Sequence, residues 1–169
     1  MGSTEAFEAL CRSEYDGLVR TAFLICGDAA EARDLAQETL ARAFERWRTV
    51  SGHDRPGAWC RRVVVNLALS SRRRRARATR LPFQQDAVWP DEPMDEDLVA
   101  ALRALGDQQR AVVVLRYLCD LSVADTAQIL GKRESTVRSI ASQATDRLRA
   151  ALTSTDEPTD GTSSKERTA

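Results

Sequence analysis

The chain is poor in the residues from which metal sites and most enzyme active sites are made. It has one histidine, His53, and four cysteines, Cys11, Cys26, Cys60 and Cys119, which stand far apart with no CxxC pair. No zinc site of usual ligand spacing can be assembled from these, so no metal and no cofactor is expected. Each cysteine lies in an apolar helical context and reads as a small reduced core residue. There is no nucleophile–base pair, no glycine-rich phosphate loop and no HExxH, so an enzyme is not expected. No apolar run approaches the roughly 20 residues that cross a bilayer, and "MGSTEAFEAL" lacks a basic-then-apolar signal pattern. A cytoplasmic protein without membrane insertion is expected. Aromatic residues are only 5% of the chain, too few for base stacking to carry much of any strand capture.

What is present is a core-forming composition and an uneven distribution of charge. Apolar residues are 43% and charged residues 30% of the 169, enough to bury a core or two small ones. The formal net charge is zero, yet residues 61–80 hold eight arginines and no acid, while residues 81–97 hold six acids and no base. Such segregation says more about partners than the sum does. Residues 81–97 also hold three prolines and read as an acidic linker without regular structure.

Helical periodicity dominates on either side of that linker. Phe7, Leu10, Cys11, Tyr15, Leu18, Val19, Ala22 and Phe23 recur at three- and four-residue steps, and "CGD" at 26–28 ends the helix and caps the next. The second helix turns Ala32, Leu35, Ala36, Leu40, Ala43, Phe44 and Trp47 inward, and "SGHDRPG" at 51–57 is a loop. On the following helix Trp59, Val63 and Leu67 form the expected buried stripe, with Arg62, Asn66, Ser70 and Arg73 on an accessible polar stripe beside it. The pattern resumes from Leu98, and the polar stretch from Thr153 reads as a disordered tail. The prediction is an all-α fold of two small domains, 5–80 and 98–152, joined by the 81–97 linker.

Residues 122–148, "SVADTAQILGKRESTVRSIASQATDRL", carry the most specific signal. Ser122 and Asp125 form an S-x-x-D capping box. Small Ala127, Gly131 four residues on, and apolar Val137 ten residues on have the spacing of a helix-turn-helix. Its second helix presents Ser135, Arg138, Ser139, Ser142 and Gln143 outward, where Arg suits guanine and Gln adenine in a major groove. A plain helical hairpin would share the packing residues but not the polar readers.

At this point the sequence resembles a family. "LVAALRALGDQQRAVVVLRYLCDLSVADTAQILGKRESTVRSIASQATDRLRAAL" is similar to the region-four domain of bacterial extracytoplasmic-function sigma factors. "ARDLAQETLARAFERW" and "PGAWCRRVVVNLALSSRRRR" resemble their region-two domain, in the actinobacterial style. The resemblance spans Phe7 to Leu152 and implies a subunit that binds core RNA polymerase and promoter DNA. It implies docking on the polymerase clamp helices by Asp34, Leu35, Gln37 and Glu38, and on the β-flap tip by the second domain. Arg61, Arg62 and Asn66, with the 51–57 loop, are then the surface that melts and reads the minus-ten element, followed by phosphate contacts from Arg72 and Arg73. In the minus-thirty-five groove it implies base contacts from Arg138, Ser139, Ser142 and Gln143 and backbone contacts from Lys132, Arg133 and Thr136. An anti-sigma factor is a further candidate partner. The sequence departs from the family at Arg133, where a Ser N-cap is usual, and at Ile140, where a basic residue is common. Two rival readings remain: a free-standing dimeric operator-binding regulator, and an RNA-binding or polymerase adaptor that uses the arginines without sequence preference.

Overall fold

The computed structural model describes residues 3–78 and 95–155. Eight α-helices make up the described chain: α1 (Ser3–Cys26), α2 (Ala29–Glu45), α3 (Trp47–Val50), α4 (Pro56–Ala78), α5 (Glu96–Ala104), α6 (Asp107–Val113), α7 (Val123–Leu130) and α8 (Glu134–Thr155). A π-helical turn, Val114–Leu118, extends α6, and no strand occurs among the described residues. The fold is all-α, as the periodicity predicts. Much of the stretch expected as linker lies outside the described residues, but its end does not. Asp95 accepts from the amides of Asp97 and Leu98 and caps α5, so residues 95–97 are helix cap and first turn. At the other end α8 reaches Thr155, past the expected start of the tail at 153.

The first half is a bundle of α1, α2 and α4, with α3 against α2. α1 stops at Gly27, whose φ of +81° suits glycine, and Asp28 at once caps α2 by accepting from the Glu31 amide at 2.9 Å. Pro56 opens α4 at the position where a missing N–H costs least. The phase of α4 differs from the sequence reading. Cys60, Val64, Val65 and Ala68 are fully buried, while Trp59, Val63 and Leu67 are only partly covered. Residues 63–69 are apolar apart from Asn66, so several faces satisfied the pattern, and the packing of α1 and α2 selected one. Phe44, expected inside, is 59% exposed; its ring leans on Phe7 at 5.0 Å at the edge of the bundle.

The second half stacks α6 and α5 on α8. Arg110 is the residue that joins its turns. Its buried guanidinium donates to the carbonyls of Leu102 at 2.8 Å, Arg103 at 2.8 Å and Leu105 at 3.0 Å. Those carbonyls end α5, where the helix cannot satisfy them itself. Burial pushes the Arg110 guanidinium down to about 10, with Arg72 and Arg103 adding to the shift, so it remains charged at neutral pH. The two halves do not stand apart. Leu102, Leu105, Val113, Val114 and Leu115 belong to one contiguous cluster with Leu18, Val19 and Phe23 of α1, and Thr21 Oγ1 lies 3.7 Å from Cys119 Sγ across the join.

Candidate nucleic-acid interface

α7 and α8 form the helix-turn-helix that the spacing predicts. Ser122 accepts from the Asp125 amide at 3.0 Å, and Gly131 takes the left-handed conformation, φ +62°, between the helices. Val137, Val112 and Ala127 are buried together, with Ile140 packed against them. This small cluster fixes the roll of α8, so Ser135, Arg138, Ser139, Ser142 and Gln143 all face solvent. Arg133 and Thr136 are also exposed, and Lys132 is half-buried. Arg138 is held along the helix by Glu134 at 2.7 Å, and Gln143 donates to Ser139 at 3.5 Å.

The arginines of α4 are differently placed. Arg61 reaches across to Glu14 on α1 at 2.8 Å. Gly57 makes that possible, because a Cβ there would overlap the Glu14 carboxylate. Arg74 and Arg75 turn onto the start of α2: Arg75 meets Asp28 at 2.8 Å and Glu31 at 3.1 Å, and Arg74 lies 3.9 Å from Glu31. Ser71 also donates to Glu31. Burial pushes the Asp28 carboxyl up, but the Glu31 amide and the Arg75 guanidinium outweigh it, and the carboxyl is held below its ordinary value. Much of the basic block is therefore matched by acids of its own bundle. Asn66 is exposed on the polar stripe, as its spacing predicts.

Two of the arginines instead reach the helix-turn-helix half. Arg62 donates to the Gln128 side chain of α7 at 2.9 Å, and Arg72 pairs with Asp107 of α6 at 2.6 Å. These partners lie 66 and 35 residues away, so no local pattern could have announced them. Between the halves is a cleft of about 170 Å³ whose walls carry Arg72, Arg73, Asp107 and Lys132. The structure thus brings residues expected to touch DNA from both halves to one seam.

On α2, Asp34, Gln37 and Glu38 are exposed, whereas Leu35 is buried at 8% exposure and belongs to the core. The exposed Phe44 lies two turns further along the same face as Gln37. All four cysteines are free. Burial pushes the Cys26 and Cys60 thiols up to about 11 each, so both stay protonated and inert at neutral pH. Among the described residues no group of three or more His, Cys, Asp or Glu side chains could hold a metal ion, and no helix is long and apolar enough to cross a membrane.

A helix-turn-helix with an exposed reading face, joined to a bundle that displays a second polar helix, defines a DNA-binding transcription protein. Comparison with known proteins narrows the class. The "Sigma-70 region 2" family matches residues 10–78 and "Sigma-70, region 4" matches residues 95–148. The RNA polymerase sigma-E factor of Streptomyces coelicolor is 34% identical over 165 residues, covering 92% of this chain and 91% of the relative. The ECF RNA polymerase sigma factor SigL of Mycobacterium tuberculosis is 36% identical over 166 residues, covering 89% and 93%. Among solved structures, the sigma factor RpoE in complex with the anti-sigma factor NepR, from Bartonella quintana, superposes with a TM-score of 0.74 at 25% identity, over 90% of this chain and 99% of that one. The chain belongs to the sigma-70 family, in its extracytoplasmic-function group of actinobacterial type. It serves transcription initiation, binding core RNA polymerase and promoter DNA.

Proposed function

We propose that promoter recognition is divided between the polar stripe of α4, which captures the minus-ten strand, and the exposed face of α8, which reads the minus-thirty-five groove. On α4 the capture residue is Asn66, whose amide offers both a donor and an acceptor to an unstacked base. Arg62, Arg72 and Arg73 hold the neighbouring phosphates, and Arg61, tied to Glu14, sets the orientation of the helix. On α8, Arg138, Ser139, Ser142 and Gln143 contact bases, while Lys132, Arg133 and Thr136 contact the backbone. Polymerase docking falls to Asp34, Gln37 and Glu38 on the clamp helices, with Phe44 as the apolar contact that the sequence alone did not single out. The second half seats on the β-flap tip. The protein works in the cytoplasm and has no catalysis of its own.

The observation that carries this reading is the roll of α8: one buried face, Val137 with Ile140, leaves every proposed base-reading side chain outward. Likeness to a sigma factor solved with its anti-sigma factor supports a partner of that kind here. The test is promoter binding and transcription with and without core enzyme. Sequence-specific binding should require core polymerase; tight specific binding by the isolated chain would favour the operator-binding regulator. Asn66→Ala should impair open-complex formation by about tenfold, the worth of one hydrogen bond to a base, while core binding is unchanged. Equal loss in both assays would refute base capture.

A further inference from the structure

The cleft between the halves has a feature that promoter recognition does not explain. Several other cations of α4 and α8 are neutralised in place: Arg61 by Glu14, Arg74 and Arg75 by Asp28 and Glu31, Arg138 by Glu134. At the cleft, Arg72, Arg73 and Lys132 face a single carboxylate, Asp107, which is already taken by Arg72 at 2.6 Å. Arg73 and Lys132 come from different halves, and neither has an acid partner among the described residues. The remaining wall is partly apolar, with Leu69 and Leu130, and a low-dielectric wall concentrates the field of the cations above it. The same field is felt behind the wall, where Arg72 adds to the burial that lowers Arg110.

We propose that this cleft is a binding site for a compact diphosphate or triphosphate anion, which bridges Arg73 of α4 and Lys132 beside α8 and so holds the two halves closed. A cleft of about 170 Å³ is much larger than a single water needs. That accommodates two linked phosphate groups; a nucleoside attached to them would project into solvent. Arg73 offers a planar fork to two phosphate oxygens and Lys132 a point charge to a third. Because the lining comes from both halves, the ligand binds only the closed arrangement and stabilises it by mass action. The cations that it occupies are among those assigned above to DNA phosphates. The ligand and promoter DNA therefore compete.

The test uses the full chain at constant ionic strength, with pyrophosphate, tripolyphosphate, a nucleoside triphosphate and sulfate as probes, read by titration calorimetry and thermal unfolding. Pyrophosphate should bind saturably, one per chain, and raise the midpoint of unfolding. Arg73→Ala and Lys132→Ala should each weaken binding by about tenfold or more, and Arg149→Ala, on a distant turn of α8, should not. Unchanged helicity in these surface variants separates loss of the site from loss of the fold. A nucleoside triphosphate that binds more tightly than tripolyphosphate identifies a nucleotide ligand, and equal binding identifies the phosphate chain alone. Binding that never saturates, that sulfate at equal ionic strength reproduces, or that Arg149→Ala weakens as much as Arg73→Ala would overturn the proposal. None of these readouts involves polymerase or promoter, so this result and that of the transcription assay fail independently.

Discussion

The two helices assigned to DNA, α4 and α8, are held in opposite ways. α4 lies in a large cluster: Cys60, Val64, Val65 and Ala68 are buried among α1 and α2, and Arg61 and Arg75 are bolted to acids of the same bundle. α8 is oriented at the start of its proposed reading face by a cluster of three buried residues, Val112, Ala127 and Val137, and joins the large cluster only further along, at Ala144 and Leu148. Its proposed reading side chains bond along the helix, as in Arg138 with Glu134 and Gln143 with Ser139, and it is further along that Arg147 reaches Gln109 of α6. Under the proposed division, the surface that opens the duplex sits on a large core, and the one that reads an intact groove begins on a small one. Arginine content therefore misleads as a measure of DNA contact. In α4 much of it supports the fold, whereas α8 has fewer cations with more of its polar surface available.

The sharpest way to break this contrast is to remove the same two methyl groups from each helix. Val137→Ala should cost about 2 kcal/mol and abolish minus-thirty-five recognition, because it takes one of three anchors. Val64→Ala should cost a similar amount of stability yet leave DNA contacts largely in register. Denaturant unfolding alongside footprinting would check both. Next in size, Arg138→Ala should relax upstream sequence preference and cost about 1–3 kcal/mol of discrimination. Unchanged preference across a promoter library would count against that contact.

A smaller effect separates the two kinds of arginine within α4. Arg73→Ala should reduce the salt dependence of DNA binding by the holoenzyme by about one unit, and Arg75→Ala should leave that slope unchanged. Arg75→Ala should instead lower stability by at most about 1 kcal/mol, since its ion pairs are partly exposed. The smallest effect is in pH. The Asp28 carboxyl is held below 3.8, so its contribution is complete above that value and is lost as pH falls through the lower folded value. Asp28→Asn should flatten the acid limb of the stability profile in that range and nowhere else.

Where local chemistry decides, the sequence was readable. The Ser122 cap, the left-handed Gly131 and the Val137–Ile140 face follow from spacing, and so did the exposure of Asn66. α4 was harder, because the run from Val63 to Leu69 is apolar at nearly every position and only its neighbours choose the face that is buried. The first-half bundle left Phe44 outside for a related reason: Ala43 beside it takes the buried position on α2, and helical phase alone cannot show how wide a buried face is. The seam was invisible. Arg62 with Gln128 and Arg72 with Asp107 join residues far apart in the chain, and only the folded arrangement brings them together.

The π-helical turn at Val114–Leu118 has a consequence for length variation in this segment. A π turn is a regular helix carrying one surplus residue, which advances every later side chain by about 100°. Tyr117 and Leu118, 59% and 46% exposed, lie within that turn. Deleting a single residue here would therefore act as a rotation, swinging both side chains around the axis while leaving composition almost untouched. Among natural or engineered homologues, tolerance of indels at this spot is a gauge of whether that apolar pair has work to do on a partner.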